Sequence, residues 1–198
     1  MLELHGLHRL HVGPITLNVE AGECIAIQGR SGSGKSVLLR MIADLDPHAG
    51  EAALDGTACS AMRAPAWRKC VTYVAADSGW WAERIGDHYP DPQHARALLP
   101  QVGLPEEAIA WPVGRLSTGE RQRAALLRAL TPDNRVLLLD EPTSGLDSES
   151  RGQVEALLRA RMRDGCAVVL VTHDPEQAGR LARRRFAMDA GQLRETAA

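Results

Sequence analysis

The sequence predicts an α/β fold whose sheet is mainly parallel, and two observations carry that prediction. Short apolar segments alternate with helical segments through the second half of the chain, as they do where helices cross over between parallel strands. A glycine-rich loop also stands between a predicted strand and a predicted helix, and ligands of such folds bind at strand ends. The length of 198 residues fits one domain, since domains usually hold about 100–200 residues.

Composition and charge exclude several classes of protein. Hydrophobic residues make up 44% and charged residues 24% of the chain, the ordinary balance of a globular domain. The formal net charge of −2 shows no excess of basic residues over the whole chain, so we expect no nucleic-acid partner. Nowhere does an apolar run reach the roughly 18 residues of a membrane span, and the N-terminus lacks a secretory pattern. The four cysteines form no C-x-x-C pair, so a cytoplasmic chain with reduced thiols is expected.

The first part of the chain is expected to contain short strands and one helix. Two strands, Ile15–Val19 and Cys24–Gln28, are joined by a turn. The glycine-rich loop follows, and after it comes an apolar helical stretch at Val37–Leu45. Further strands are predicted at Glu51–Leu54 and Val71–Ala75, because short apolar segments bounded by turn residues favour strands.

The segment from residue 77 to about residue 116 differs from the rest of the chain in its high proline content. Five prolines punctuate short helical pieces there, and proline ends helices by removing a donor and clashing with the preceding turn. We interpret this segment as a small helical insert outside the main sheet. The alternation then resumes with a helix, a strand, a helix and a strand, at Glu120–Leu130, Val136–Leu139, Glu149–Arg163 and Ala167–Thr172.

The glycine-rich loop has the pattern G-x-x-x-x-G-K-[ST] of a phosphate-binding loop, in the strand–loop–helix context that the pattern requires. Its glycines let backbone N–H groups curl around an anion, and the helix that follows adds the positive end of its dipole. The lysine supplies a charge for the β and γ phosphates, and the serine hydroxyl is placed to ligate Mg²⁺. The predicted nucleotide-binding residues are Gly29, Arg30, Ser31, Gly32, Ser33, Gly34, Lys35, Ser36 and Val37.

A second candidate site is acidic and follows the apolar strand Val136–Leu139. Asp140 and Glu141 emerge at the carboxyl end of that strand, where ligands of open α/β sheets lie. Asp140 is predicted to hold Mg²⁺ together with Ser36. Glu141 is predicted to polarise the attacking water, since a carboxylate committed to the metal is a poor base.

A third motif, Leu116–Arg123, stands just before a predicted helix. Ser117 and Gly119 place a hydroxyl and free backbone N–H groups at the start of that helix, which makes a second anion site. A chain that already has one phosphate site needs another if two copies face each other and each closes the other's nucleotide.

These motifs resemble those of the ATP-binding cassette (ABC) ATPases, and the resemblance covers nearly the whole chain. Leu116–Arg123 is similar to their signature, with Thr118 in place of the first glycine and Glu120 in place of glutamine. Ser144–Asp147 resembles the D-loop, and His173 resembles the switch histidine that senses the γ phosphate. The resemblance implies that Ser117, Gly119, Glu120 and Asp147 act across a dimer seam, and that Glu141 and His173 are catalytic.

The family resemblance also implies an architecture and a set of partners. It implies a P-loop NTPase core with a mainly parallel sheet, an N-terminal antiparallel β part and the helical insert at about 77–116. Two cassettes, identical or different, sandwich two ATP molecules with Mg²⁺ and drive transmembrane permease subunits, so the chain is expected on the inner face of the cell membrane. The insert is similar to that of iron-export cassettes. Lipid, lipoprotein or haem export and a soluble non-transport ABC ATPase remain alternatives, whereas the signature and D-loop argue against a kinase.

Three features depart from the family pattern or stay ambiguous. Ala76 stands where family members carry the Q-loop glutamine, so that either the neighbouring Asp77 does part of its work or turnover is reduced. No aromatic residue is available near the N-terminus to stack on adenine, and the histidines at positions 8 and 11 are the candidates. The tryptophans of the insert form either its core or a patch for a partner helix, and they are Trp80, Trp81 and Trp111.

Replacing Ala76 by glutamine is expected to raise the ATPase rate, because an alanine side chain can neither ligate Mg²⁺ nor hold the attacking water. The ATPase rates of the variant and the wild type are compared by measuring phosphate release from the purified proteins. Ala76→Leu, which enlarges the side chain at position 76 without supplying a polar group, is the control. An unchanged rate in Ala76→Gln would show that the loop glutamine is dispensable in this chain.

Overall fold

The computed structural model describes residues 1–196, and within that range the strands form a four-stranded and a six-stranded sheet. The strands are β1 Leu2–Arg9, β2 Val12–Val19, β3 Cys24–Gln28, β4 Ala49–Leu54, β5 Thr57–Ala58, β6 Val71–Val74, β7 Val136–Asp140, β8 Ala167–Val171, β9 Arg184–Asp189 and β10 Gln192–Thr196. The α-helices are α1 Lys35–Ile42, α2 Ala64–Cys70, α3 Pro92–Leu98, α4 Thr118–Ala129, α5 Ser148–Arg163 and α6 Pro175–Leu181.

The larger sheet has the strand order β10-β9-β3-β8-β7-β6 and is parallel except for β10. Every residue of β7 and β8 is buried, as is expected where helices cover both faces of a parallel sheet. Their continuous Val and Leu runs supply that burial, which explains why the sequence indicated these strands clearly. The predicted α/β fold with a mainly parallel sheet is confirmed.

The smaller sheet is antiparallel and has the order β2-β1-β4-β5. The two strands predicted on either side of the first turn therefore belong to different sheets, since β2 pairs with β1 whereas β3 pairs with β8 and β9. The sequence did not predict β1 because its pairing register shifts between Leu4 and Leu7, which breaks the alternation of buried and exposed residues. The predicted helix at Val37–Leu45 begins and ends earlier, at Lys35 and Ile42.

Residues 77–116 contain α3 and four short 3₁₀ helices, at Ile85–His88, Leu99–Val102, Glu106–Ala110 and Val113–Arg115. Their apolar side chains pack with those of α4 into a cluster of their own, separate from the clusters on the two faces of the larger sheet. Trp80 and Trp111 pack against this cluster, whereas Trp81 is 72% exposed. Trp80 and Trp111 therefore belong to the insert core, whereas a patch for a partner helix at the exposed Trp81 stays a prediction.

The functional loops leave the larger sheet along one edge. Ile27 on β3 pairs with Val171 on β8, and Val171 in turn pairs with Asp140 on β7. The loops that follow β3, β7 and β8 therefore start side by side at the carboxyl ends of parallel strands. Among residues 1–196, no helix is both long enough and apolar enough to cross a bilayer.

Replacing Leu138 by alanine is expected to lower the free energy of unfolding by about 2–5 kcal/mol, because it leaves a cavity in a fully buried strand. The matched control is Leu10→Ala, since the Leu10 side chain is 81% exposed and its loss should change stability by no more than about 0.5 kcal/mol. Urea denaturation followed by circular dichroism measures both variants. Equal losses would contradict the burial assigned to β7.

Candidate active site

A cavity of about 400 Å³ opens at the carboxyl edge of the larger sheet. It gathers residues from the glycine-rich loop, from the end of β7 and from the loop after β8, which lie far apart in the sequence. The lining residues are His11, Ser31, Gly32, Gly34, Lys35, Ser36, Val37, Ala76, Asp140, Glu141 and His173. The structure thus brings the predicted phosphate loop, both predicted acidic residues and the predicted histidine to one place.

Two glycines hold the phosphate loop close to neighbouring strands. A side chain at Gly29 would overlap the carbonyl oxygen of Met188 on β9, and one at Gly34 would overlap the side chain of Val12 on β2. Gly34 also has a φ of 109°, in the left-handed region that favours glycine. Because α1 begins at Lys35, its unpaired N–H groups and the positive end of its dipole face the cavity.

Lys35 is held in the loop by the backbone. Its ammonium donates hydrogen bonds to the carbonyl oxygens of Gly29 at 2.6 Å and Arg30 at 3.0 Å, and the residue is buried. A buried ammonium is costly unless it is solvated or paired, and here carbonyl dipoles partly replace water. A phosphate anion in the cavity would offer the ammonium a stronger partner than neutral carbonyls.

Ser36 and Asp140 form the contact that joins the phosphate loop to β7. The Ser36 hydroxyl donates to Oδ2 of Asp140 at 2.6 Å, and the Tyr73 hydroxyl lies 3.2 Å from the same oxygen. Burial, followed by the negative charge of Asp140, raises the pKa of Tyr73 to about 12, so the phenol remains a donor. A hydroxyl and a carboxylate beside a phosphate site are ligands of the kind that Mg²⁺ prefers, so the residues present fit that ion.

Glu141 has an unusual backbone conformation that turns its side chain into the cavity. Its φ is 51°, which is rare for a residue other than glycine and is typical of functional sites. Two hydrogen bonds hold that conformation: its N–H donates to the carbonyl of Val171 at 3.0 Å, and its carbonyl accepts from Nε2 of Gln122 at 2.6 Å. Glu141 lines the same cavity as Asp140 but does not share in the Ser36–Asp140 hydrogen bond.

His173 approaches the Glu141 carboxylate from the loop after β8. Its backbone N–H donates to Oε2 of Glu141 at 3.3 Å, and its Nε2 lies 3.3 Å from Oε1. Burial raises the pKa of Glu141 above its ordinary value, although the contacts with His173 oppose that shift. A carboxyl with a raised pKa beside a histidine is suited to accept a proton from water.

The predicted signature residues occupy a different surface. Ser117 caps α4 reciprocally with Glu120: the N–H of Glu120 donates to the Ser117 hydroxyl at 3.2 Å, and the N–H of Ser117 donates to the Glu120 carboxylate at 2.8 Å. These hydrogen bonds lower the pKa of Glu120. Gly119 packs so closely on Leu146 that a Cβ there would lie 2.9 Å from its Cδ2. Asp147 caps α5 and is fully exposed.

The family comparison agrees with this geometry. The family profile described as "ABC transporter" matches residues 12–144 of the chain. This chain belongs to the ABC transporter family.

Its relatives are ATP-binding subunits. It is similar to the aliphatic sulfonates import ATP-binding protein SsuB 2 of Agrobacterium fabrum, with 42% identity over 90% of this chain and 70% of that protein. The protein of the same name from Paracoccus denitrificans is 40% identical over 89% of this chain and 71% of its own length. No support for the iron-export expectation comes from these names.

The solved structures that it resembles are also cassettes. A dimeric structure of the ATP-binding cassette MJ0796 in a post-hydrolysis state, bound to ADP and Pi, has a TM-score of 0.78 and 25% identity, with all of both chains covered. A second dimeric structure of MJ0796, described as a bacterial ABC transporter cassette, has a TM-score of 0.79. The ABC ATPase fold expected from the sequence is therefore confirmed, and this chain is an ABC ATPase.

At the Q-loop position of this ABC ATPase, the Ala76 methyl group lines the nucleotide cavity. Asp77 instead lines a neighbouring cavity of about 260 Å³, together with Thr118, Arg121 and others. The position of Asp77 gives no support to its replacing the glutamine, and reduced turnover stays a prediction.

The two histidine candidates for adenine stacking differ in position. His11 lines the nucleotide cavity of this ABC ATPase, on the turn between β1 and β2. Nδ1 of His8 lies 2.9 Å from the carbonyl oxygen of Gly6, on its own strand. The structure therefore favours His11 as the residue that meets the base.

Sequence reasoning missed two residues that shape the site. Tyr73 contacts Asp140, and Gln122 holds the backbone of Glu141. Tyr73 carries a weak signal, since it is a polar-tipped residue in the strand that precedes the Q-loop position. Gln122 carries none, because its contact depends on how α4 packs against the end of β7.

Replacing His11 by alanine is expected to weaken ATP binding about two- to tenfold, the range that loss of one stacking contact predicts. The control is His8→Ala, which should leave the affinity unchanged because that ring is engaged on its own strand. Calorimetric titration with ATP and with GTP measures both affinities. Equal weakening by the two variants would rule out a special position for His11.

Proposed function

We propose that this chain is the ATP-hydrolysing subunit of an ABC transporter and that it works as a dimer with separate membrane subunits. The observation that carries the proposal is the single cavity that contains Lys35, the Ser36–Asp140 pair and the Glu141–His173 pair. In this proposal residues 1–198 form one ATP-binding domain, with residues 77–116 as its helical insert.

The phosphates of ATP bind at the start of α1, where the loop N–H groups and Lys35 meet them. Lys35 exchanges its two carbonyl partners for phosphate oxygens without leaving the loop. Ser36 and Asp140 would hold Mg²⁺. When bound, that ion neutralises the charge that develops on the phosphates.

Hydrolysis needs a base that is separate from the metal ligands. Glu141 accepts a proton from the attacking water, and it takes no part in the Ser36–Asp140 contact that is proposed to hold the metal. His173 stays beside that carboxylate and contacts the γ phosphate. The proton leaves water for Glu141 as the bond from the water oxygen to phosphorus forms and the bridging bond to ADP breaks.

A second cassette completes each nucleotide site in this proposal. Ser117, Gly119, Glu120 and Asp147 act on the nucleotide of the partner, which agrees with their position outside the chain's own cavity. The similar cassette MJ0796 is dimeric in both solved structures, which supports the pairing of two cassettes. ATP then favours the closed dimer because it binds that state more tightly than the open one.

The proposed contact with a permease subunit lies beside the Q-loop position. The cavity of about 260 Å³ that contains Asp77, Trp80 and Arg121 opens there, and the exposed Trp81 adjoins Trp80. Arg128 lies over both indole rings, with its guanidinium carbon 4.6 Å and 4.7 Å from their centroids. An aromatic surface next to the nucleotide site suits a helix of a membrane subunit. The chain would then sit on the inner face of the membrane through its partners.

The proposed cargo is a small organic anion that is imported, of the aliphatic sulfonate class. The support is the name of the SsuB relatives, which replaces the expectation of iron export. In this proposal the two cavities described above serve the nucleotide and the partner, and the membrane subunits select the cargo.

Co-expression with membrane subunits encoded beside this gene tests the proposal. We expect a stable complex whose ATPase rate exceeds that of the isolated chain. In Glu141→Gln the complex should still form and bind ATP, but the rate should fall by about 10²–10⁴-fold, the usual contribution of a general base. Glu107→Gln is the matched control, because Glu107 is exposed and lies in the insert. Full activity in Glu141→Gln, or no complex with any membrane subunit, would contradict the proposal.

The pH profile of the same assay tests the role of Glu141 as base. Burial raises the pKa of this carboxyl, and only its deprotonated form accepts a proton. The rate should therefore fall as the pH drops through the raised pKa, at a higher pH than an ordinary glutamate would give. A rate that stays flat down to the ordinary glutamate range would exclude this role.

A further inference from the structure

The Asp140 carboxylate receives two hydrogen bonds on one oxygen atom. Oδ2 accepts from the Ser36 hydroxyl at 2.6 Å and lies 3.2 Å from the Tyr73 hydroxyl, and Asp140 is only 6% exposed. Ser36 is itself a proposed metal ligand, so its hydrogen bond to Asp140 changes when the metal site fills. The Tyr73 hydroxyl is not a proposed metal ligand, so it can keep its hydrogen bond to Oδ2 both before and after the metal binds.

Pairing of β6 with β7 places Tyr73 in this position. Tyr73 pairs with Leu138, and Val74 pairs with Leu139, so that the end of β6 runs beside the residues that lead into Asp140. Two further contacts anchor the start of the same pair, since the N–H of Arg135 donates to the carbonyl of Cys70 at 2.9 Å, and the side-chain amide of Asn134 donates to the Thr72 hydroxyl at 2.8 Å. The phenol is thus carried on a rigid strand rather than on a loop.

The Q-loop that leaves β6 offers the metal site no polar side chain at its first position. Ala76 lines the nucleotide cavity with a methyl group, and Asp77 lines the neighbouring cavity. Of the polar side chains carried by β6 itself, Thr72 is bonded to Asn134 and only Tyr73 reaches Asp140. Among the side chains of β6, only the Tyr73 hydroxyl can therefore orient the Asp140 carboxylate.

We propose that Tyr73 is a positioning residue for the metal site, whose hydroxyl holds Oδ2 of Asp140 and so orients the carboxylate that binds Mg²⁺. The proposal rests on the proposed ATPase function and concerns metal binding within it. The physical reason is preorganisation: a ligand oriented by a neighbour loses less freedom when the ion arrives, and removing such a neighbour commonly weakens metal binding 10–100-fold, roughly.

The test is Tyr73→Phe, which removes one oxygen atom and keeps the ring that packs against the core. ATP affinity of the full chain is measured by calorimetric titration, once with Mg²⁺ and once with EDTA. We expect the affinity in Mg²⁺ to fall by about 10–100-fold and the affinity in EDTA to stay unchanged. Equal affinities of the variant and the wild type in Mg²⁺, or equal losses in both conditions, would overturn the proposal.

Tyr89→Phe is the matched control, since Tyr89 is the other tyrosine of the chain and its hydroxyl donates to the carbonyl of Ala124 at 2.7 Å, in the insert cluster. It removes a hydrogen bond of similar kind, so it should cost stability without changing the ratio of the two ATP affinities. A change in that ratio equal to the one in Tyr73→Phe would mean that the effect is merely structural and would overturn the proposal.

A spectroscopic measurement reports on the metal directly. Titration of Mn²⁺ into the protein with ATP, followed by electron paramagnetic resonance, gives the metal affinity without any need for turnover. We expect weaker Mn²⁺ binding in Tyr73→Phe than in the wild type and in Tyr89→Phe. A failure of the proposed ATPase function gives a different result from a failure of this proposal. In that case the wild-type chain would bind ATP neither with Mg²⁺ nor with EDTA.

Discussion

The parallel pairing of β3, β8 and β7 is the constraint on which the site depends. Ile27, Val171 and Asp140 lie in one row across these strands, so the three loops that follow them begin together. The continuous parallel ladders between these strands, of which β7 and β8 are buried along their whole length, hold the three residues level. The hydrogen bond between Ser36 and Asp140, which joins residues 104 positions apart, follows from that row.

The charged groups of the site are held by partners that differ in kind. Lys35 is held by carbonyl oxygens, Asp140 by two hydroxyls, and Glu141 by its backbone and by His173. A buried charge with hydrogen-bond partners is tolerable, whereas the same charge without them is costly. These partners therefore keep three charged side chains close together, in one cavity that suits a phosphate and a metal ion.

One ion pair and one hydrogen bond, both made by Arg151, link the loop of His173 to the loop of Asp147. Asp174, next to His173, caps α6 and accepts from the Arg151 guanidinium at 2.9 Å. Arg151 lies in the first turn of α5, the helix that Asp147 caps, and it also donates to the carbonyl of Leu146 at 3.4 Å. His173, which is proposed to be catalytic, and Asp147, which is proposed to cross the dimer seam, are thus connected through Arg151. A movement of either loop would change the hydrogen bonds that Arg151 makes to Asp174 and Leu146.

The sequence by itself determined the fold class, the phosphate loop, the acidic pair and the family, because each depends on residue types at short, fixed spacings. Gly29–Ser36 and Val136–Glu141 need only their own neighbours to be recognised. The tertiary structure decided that β1 and β2 lie in a separate sheet, that His11 rather than His8 lines the cavity, and which residues Tyr73 and Gln122 contact. The physical reason is that these features depend on strand pairing and helix packing between distant segments, and no local periodicity encodes which segments meet.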